Sequence, residues 1–128
     1  MAIVKSGLYY TKSHEWVEVQ GDIARIGITD HAQSELGDLV FAEATPAGRQ
    51  VRSGDAVGAI ESVKMASDIY TPVSGEIIAS QNDIGSHPEQ INADPYGVWL
   101  VAIRMTDPGE LAALMDAAAY EAFCLTEG

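Results

Sequence analysis

The sequence predicts a mainly β domain, a barrel or sandwich that also carries a few short helices. Short runs of strand-forming residues alternate with turn residues about every 8–12 positions, which is typical of all-β domains. The chain has 128 residues, of which 47% are hydrophobic. A chain of this length can bury one core but is too short for two ordinary domains. We therefore expect a single domain over residues 1–128.

The first two predicted strands form a hairpin. In residues 13–19, Trp16 and Val17 alternate with charged neighbours, as in a half-buried strand. Gly21 lies in a turn, and residues 23–28 form the returning strand.

A short helix is predicted between Asp30 and Gly37. Asp30 and Gln33 have the spacing of a capping box, in which Asp30 caps the helix. Gly37 fits a C-terminal stop. Ala32 and Leu36 would share the face that packs inward.

Lys64 is predicted to lie at the tip of a second hairpin. A strand at 39–42 and two turns, at 46–48 and 52–55, lead into it. Its arms, residues 58–60 and 69–73, are rich in strand-forming side chains and are bounded by glycines. Such a tip holds an amine in solvent on a stiff base, which suits a lysine that another protein must reach and modify.

The second half of the chain continues the strand pattern. A turn at 72–76 leads into a strand at 77–79. Residues 82–97 have the composition of a surface loop with one helical turn at 89–91. Residues 99–103 are a continuous apolar run of strand length, which predicts a strand in the centre of the core.

The clearest helix signal lies near the C-terminus. Asp107 fits an N-cap, Pro108 the first helical position and Glu110 the end of a capping box. The apolar residues that recur at helical spacing are Leu111, Leu114, Met115 and Ala118. This pattern predicts one helix after Asp107 that docks through its apolar stripe.

The charge balance argues against nucleic-acid and membrane partners. The chain has 7 basic and 19 acidic residues and a formal net charge of -12, which repels phosphate backbones and anionic lipid surfaces. The sequence has no signal-peptide pattern and no apolar stretch of about 20 residues. Cys124 is the single cysteine, so we expect no internal disulfide, a small packing group at this position and a cytoplasmic protein.

A series of motifs runs in order along the chain, namely HEW (14–16), GITDHAQ (27–33), LGDLVF (36–41), ESVK (61–64), ASDIY (66–70), PVSGE (72–76), and Asn92 followed by PYG (95–97). Together these motifs resemble those of one family, the H-proteins of the glycine cleavage system. The resemblance implies a barrel-sandwich hybrid of the lipoyl and biotinyl type, with a lysine-bearing hairpin, short helices and a C-terminal helix.

The resemblance further implies that Lys64 carries lipoate in amide linkage. The protein would then be a carrier and not an enzyme. It would move the aminomethyl group of glycine from a pyridoxal-phosphate decarboxylase to a tetrahydrofolate-dependent aminomethyltransferase. A dihydrolipoamide dehydrogenase would reoxidise the arm, and lipoate-attaching enzymes would be further partners. We expect a monomer.

The family pattern also assigns roles to residues around Lys64. Carried over by position, Ser13, Glu15 and Asp68 would hold the charged amine of the loaded arm in a cleft, since carboxylates favour a protonated amine. Glu61 would be recognised by the attaching enzyme. The histidines, which are His14, His31 and His87, lack ligands at metal spacing in the sequence and are expected to be packing or surface residues.

Other functions remain open at this point. Met65 follows the lysine as in biotinyl carriers, although Val63 breaks their pattern of methionine on both sides. An H-like lipoyl carrier could also serve a sulfur-oxidising heterodisulfide-reductase-like complex or a lipoyl relay. An enzyme with Lys64 as a Schiff-base former is disfavoured, because an exposed tip lacks the apolar pocket that would lower the amine pKa.

Overall fold

The computed structural model describes residues 2–127, so Met1 and Gly128, the ends of the predicted domain, lie outside it. The strands are β1 (Tyr9–Tyr10), β2 (Glu15–Gln20), β3 (Ile23–Ile28), β4 (Leu39–Ala44), β5 (Gln50–Val51), β6 (Ala56–Ser62), β7 (Ala66–Tyr70), β8 (Gly75–Ser80) and β9 (Val101–Met105). The α-helices are α1 (Asp30–Leu36), α2 (Glu89–Ala93) and α3 (Ala117–Glu127), and two 3₁₀ helices span Asn82–Ser86 and Pro108–Ala113.

Two antiparallel sheets make up the domain within residues 2–127. The first has six strands in the order β1-β2-β3-β9-β8-β5, and the second has three in the order β4-β6-β7. The predicted hairpins are confirmed, because β2 pairs with β3 and β6 pairs with β7. The apolar run at 99–103 begins its strand two residues later than predicted, at Val101. That strand is central as expected, since β9 lies between β3 and β8 and its Ile103 is fully buried.

The main core lies between the sheets. Its fully buried side chains come from both of them, for example Val17 and Ile26 from the first and Val57 and Ile60 from the second. Burying such aliphatic side chains contributes about 1.5–3 kcal/mol each relative to leaving them exposed. The packing of the two sheets against each other therefore fixes the position of the lysine hairpin relative to the rest of the domain.

A second, aromatic cluster packs α3 against the first sheet. The rings of Tyr10 and Tyr120 stack with their centroids 4.5 Å apart, and both side chains are fully buried. Burial raises the pKa of both phenols well above the ordinary value. Trp16 completes the cluster and donates from Nε1 to the carbonyl of Pro95 at 2.9 Å.

The predicted start of α1 is wrong by one residue. Thr29 is the N-cap, and its Oγ1 accepts the backbone N–H of Ala32 at 3.1 Å. Asp30 instead lies in the first turn, where its carboxylate accepts a hydrogen bond from Gln33 at 2.8 Å. The predicted stop is confirmed, because Gly37 has φ 81° and donates its N–H to the carbonyl of Gln33.

The single helix predicted after Asp107 is also wrong. Asp107 does cap a helix, but this 3₁₀ helix ends at Ala113 and α3 starts separately at Ala117. Two contacts explain the break. The carboxylate of Glu110 accepts hydrogen bonds from Ser74, so it does not close a capping box. The backbone of Met115 pairs with Tyr10 through two hydrogen bonds, of 2.8 and 3.0 Å, which draws it out of a helix.

Candidate functional site

Lys64 lies in the turn that joins β6 to β7, with its side chain in solvent. The turn is held by Ser62, which is buried. Its backbone N–H donates to the carbonyl of Met65 at 2.8 Å. Its Oγ accepts the backbone N–H groups of Lys64 at 3.3 Å and of Met65 at 3.2 Å. The lysine therefore extends from a backbone that is well anchored at its base.

Exposed apolar side chains accompany the lysine. They form what we call the tip patch, which consists of Val40, Phe41, Val63 and Met65. Val63 is 78% exposed and Met65 is 50% exposed, and Phe41 on β4 pairs with Glu61 on β6. Exposed apolar groups that cluster are typical of surfaces that contact other proteins.

Glu15 of β2 links the first sheet to the second at Tyr70, which is the end of β7 farther from Lys64. Its side chain is 1% exposed. Its Oε1 accepts the hydroxyl protons of Thr11 at 2.5 Å and Ser13 at 2.6 Å, and its Oε2 accepts the N–H of Tyr70 at 3.2 Å. A buried carboxylate requires such donors, because loss of hydration is costly unless hydrogen bonds replace it.

A cavity of about 370 Å³ opens beside this carboxylate. Ser13, Glu15 and Tyr70 lie in its wall, together with Thr11 and Met115. Polar and apolar groups thus meet in one hollow, as in sites that bind a chain with a polar end.

Comparisons with known proteins agree with one another. The family model described as glycine cleavage H-protein matches residues 8–127. A glycine cleavage system H protein of Aromatoleum aromaticum is 53% identical over 123 residues, which cover 95% of this chain and 96% of that protein. One of Leptospira biflexa is 46% identical over 119 residues, covering 93% and 92%. The crystal structure of a glycine cleavage system H protein from Mycobacterium marinum matches with a TM-score of 0.84 and 36% identity, covering 93% of this chain and 97% of that chain.

The chain belongs to the glycine cleavage H-protein family. The resemblance seen in the sequence motifs is therefore confirmed, and so is the predicted barrel-sandwich fold. Within residues 2–127, no helix has the length and the apolar run needed to cross a membrane.

The structure brings together only some of the predicted cleft residues. Ser13 and Glu15 share the cavity beside Tyr70. Asp68 does not line that cavity; it lies on a neighbouring hollow of about 460 Å³ with Glu61 and Tyr70. Asp68 and Tyr70 are two residues apart on one strand and point to the same face. Tyr70 lies in the wall of both hollows, one of which contains Glu61 of the lysine hairpin and the other Glu15.

Sequence reasoning missed several contacts around these residues. Thr11 and the Tyr70 amide bind Glu15, and neither stands out in the sequence, since one is an ordinary loop threonine and the other is a backbone group. Asn92 belongs to a sequence motif that does not by itself reveal a contact. Its side chain donates to the carbonyl of Gly37 at 2.9 Å and accepts the N–H of Leu39 at 2.9 Å, which fixes the segment between α1 and β4.

Proposed function

We propose that the protein is the lipoyl carrier of a glycine cleavage system, with lipoate in amide linkage to Lys64. One observation carries the proposal: an exposed lysine stands at an anchored hairpin tip within a chain of the H-protein family. Bound lipoate supplies a dithiolane that can be reduced and can carry a group. The chain itself acts as carrier and not as catalyst.

The hairpin suits attachment by an enzyme. Lysine has a long stem and an amine that forms a stable amide once deprotonated. Attachment removes one positive charge, so the formal charge changes from -12 to about -13. The tip patch and the exposed carboxylate of Glu61 give an attaching enzyme an apolar surface and a charge beside the target amine.

The two hollows that share Tyr70 support a resting place for the loaded arm along β7. Tyr70 follows Lys64 by six residues, so it lies at most about 20 Å away at the rise of an extended strand. The carboxylates of Asp68 and Glu15 lie along this path and would favour a protonated amine. The exposed hydroxyl of Ser13 would give that amine a further hydrogen-bond acceptor. In the cavity beside the buried Glu15, water would be partly excluded, which would protect a labile aminomethyl group.

The proposed partners are a pyridoxal-phosphate glycine decarboxylase, a tetrahydrofolate aminomethyltransferase, a dihydrolipoamide dehydrogenase and the lipoate-attaching enzymes. A tethered reactant reaches an effective concentration on the order of millimolar without tight binding. The charge of -12 would steer the carrier toward basic docking faces and speed each encounter. The similarity to glycine cleavage system H proteins over more than nine-tenths of the chain supports this pathway over the sulfur-oxidising and relay alternatives.

The attachment is tested by intact-mass measurement of the chain from cells that make lipoate. We expect a mass increase equal to one lipoyl group, lost in Lys64→Ala and kept in Lys12→Arg, a matched control at another exposed lysine. A biotin adduct, or no adduct in the wild-type chain, would contradict the proposal.

The pathway is tested with the lipoylated chain and a glycine decarboxylase component. We expect glycine-dependent exchange of carbon dioxide that the unmodified chain does not support. Absence of exchange with a fully lipoylated chain would exclude glycine cleavage while leaving the attachment site in place.

A further inference from the structure

Three side chains that can ligate metals meet beneath α3, although they are far apart in the sequence. His14 lies in the turn before β2, His31 in α1 and Cys124 in α3. One nitrogen of each histidine and the cysteine sulfur all lie within 4.8 Å of one another. All three residues are half-buried, so the cluster is shielded yet open to a small ion.

The fold brings these side chains close together. The ring of His14 stacks on that of His31 with 4.5 Å between centroids. Its Nδ1 is 2.7 Å from the hydroxyl of Tyr120, which is also 2.7 Å from Oγ1 of Thr29. A hydroxyl bonded to one ring nitrogen orients the imidazole, as the outer partners of metal-ligating histidines do. Tyr120 thus connects α3, which carries the cysteine, to both histidine-bearing segments.

The donor set fits a borderline-soft cation. Two imidazoles and one thiolate are ligands that zinc takes in sites with three protein ligands and one open position. Tetrahedral zinc, with Zn–N near 2.0–2.1 Å and Zn–S near 2.3 Å, places its ligand atoms about 3.3–3.6 Å apart. The planes of the stacked imidazoles are 29° apart, so their in-plane lone pairs do not converge on one point. Zinc binding therefore requires the two rings to rotate out of the stack and the ligand atoms to approach by on the order of 1 Å.

We propose that His14, His31 and Cys124 form a zinc-binding site. Zinc would bind the two imidazole nitrogens and the thiolate, and the thiol would release its proton to solvent as the Zn–S bond forms. The site would fasten α3 to α1 and to the turn before β2. It is separate from the lysine hairpin, so it goes beyond the proposed carrier function and does not depend on it.

The proposal is tested by cobalt titration of the full-length chain, free of any affinity tag and carrying Lys64→Arg. This background removes the lipoyl thiols, which would bind metals themselves. We expect one equivalent of Co²⁺ to produce thiolate charge-transfer absorption and the visible bands of a tetrahedral ion, and Zn²⁺ to displace it. Zn²⁺ should also raise Tm, because it binds the folded chain.

Variants identify the ligands. Cys124→Ser should abolish the charge-transfer absorption, and His14→Asn or His31→Asn should weaken binding at least about tenfold. Asparagine suits position 14, where φ is 70°. His87→Asn, at an exposed histidine outside the cluster, is the matched control and should bind as the parent chain does.

Two outcomes would overturn the proposal. One is a parent chain that shows no thiolate–cobalt absorption. The other is absorption of equal strength and affinity in Cys124→Ser or in both histidine variants. Circular dichroism of each variant separates lost binding from lost folding, and Cys124→Ser provides a test at a residue that is not fully buried.

Discussion

Replacing Glu15 with alanine is expected to destabilise the domain because this carboxylate bridges the two sheets. The substitution removes the acceptor for three donors, namely the hydroxyls of Thr11 and Ser13 and the N–H of Tyr70. The hydroxyls can turn to the adjoining cavity and regain partners there, so their loss is small. The Tyr70 amide is partly buried and cannot turn, and an unpaired group of this kind costs about 1 kcal/mol or more.

The free energy of unfolding is expected to fall by about 3 kcal/mol in Glu15→Ala. This figure combines the cost of the unpaired amide with the loss of a hydrogen bond to a charged group, which contributes about 1.5–3 kcal/mol. For a domain of this size the change corresponds to a fall in Tm of about 10 °C. Glu15→Gln should cost only about 1 kcal/mol. A flipped amide can place its oxygen on the Tyr70 N–H and its NH₂ group on the hydroxyl oxygens.

Urea unfolding followed by tryptophan fluorescence measures both values. The matched control is Glu18→Ala on the same strand, whose carboxylate pairs with Arg25 at 3.5 Å with both side chains well exposed. Such a pair contributes about 0–1 kcal/mol. The reasoning is refuted if Glu15→Ala unfolds at the same urea concentration as the control.

Two further predictions concern stability. Asn92→Ala leaves the N–H of Leu39 and the carbonyl of Gly37 without their partner, so the free energy of unfolding should fall by about 2–4 kcal/mol. Gln90→Ala, at an exposed position of the same helix, is the control, and equal urea midpoints for the two variants would contradict the prediction. Burial raises the pKa of Tyr10 and Tyr120 above the ordinary tyrosine pKa of about 10. Above about pH 10 the unfolded chain therefore releases these phenol protons, whereas the folded chain keeps them. The contribution of these two tyrosines to stability is then constant below about pH 10 and falls above it, by up to about 1.4 kcal/mol per pH unit for each tyrosine. Urea midpoints that do not change between about pH 9 and pH 11 would rule this out.

Features set by neighbouring residues were predictable from the sequence. The lysine hairpin follows from two strand-forming runs that flank Lys64, and β3 has the predicted bounds. The end of α1 at Gly37 was also predictable, because a left-handed φ favours glycine whatever the tertiary context.

Features set by distant contacts were not predictable in the same way. The helical pattern from 107 to 118 is real, yet Glu110 and Met115 are engaged by Ser74 and Tyr10 from other parts of the chain. Local propensity contributes less than about 1 kcal/mol per residue, so such contacts override it. The cluster of His14, His31 and Cys124 was not predictable either. Ligand spacing in a sequence reveals only sites that are built from residues close together in the chain.

The geometry at Glu15 suggests how one carboxylate can serve both the fold and the proposed cleft. The Oε1 atom of Glu15 already accepts two hydroxyl protons, and the side chain is 1% exposed. A bound amine would therefore interact with this carboxylate either through Oε2 or through another side chain that contacts both groups. Ser13 is exposed and donates its proton to Glu15. The lone pairs of its Oγ are then left to accept from an amine. A hydroxyl that donates to an anion becomes a better acceptor. Ser13 would therefore bind the amine more strongly because of Glu15, while the hydrogen bond of Glu15 to Tyr70 stays shielded from water.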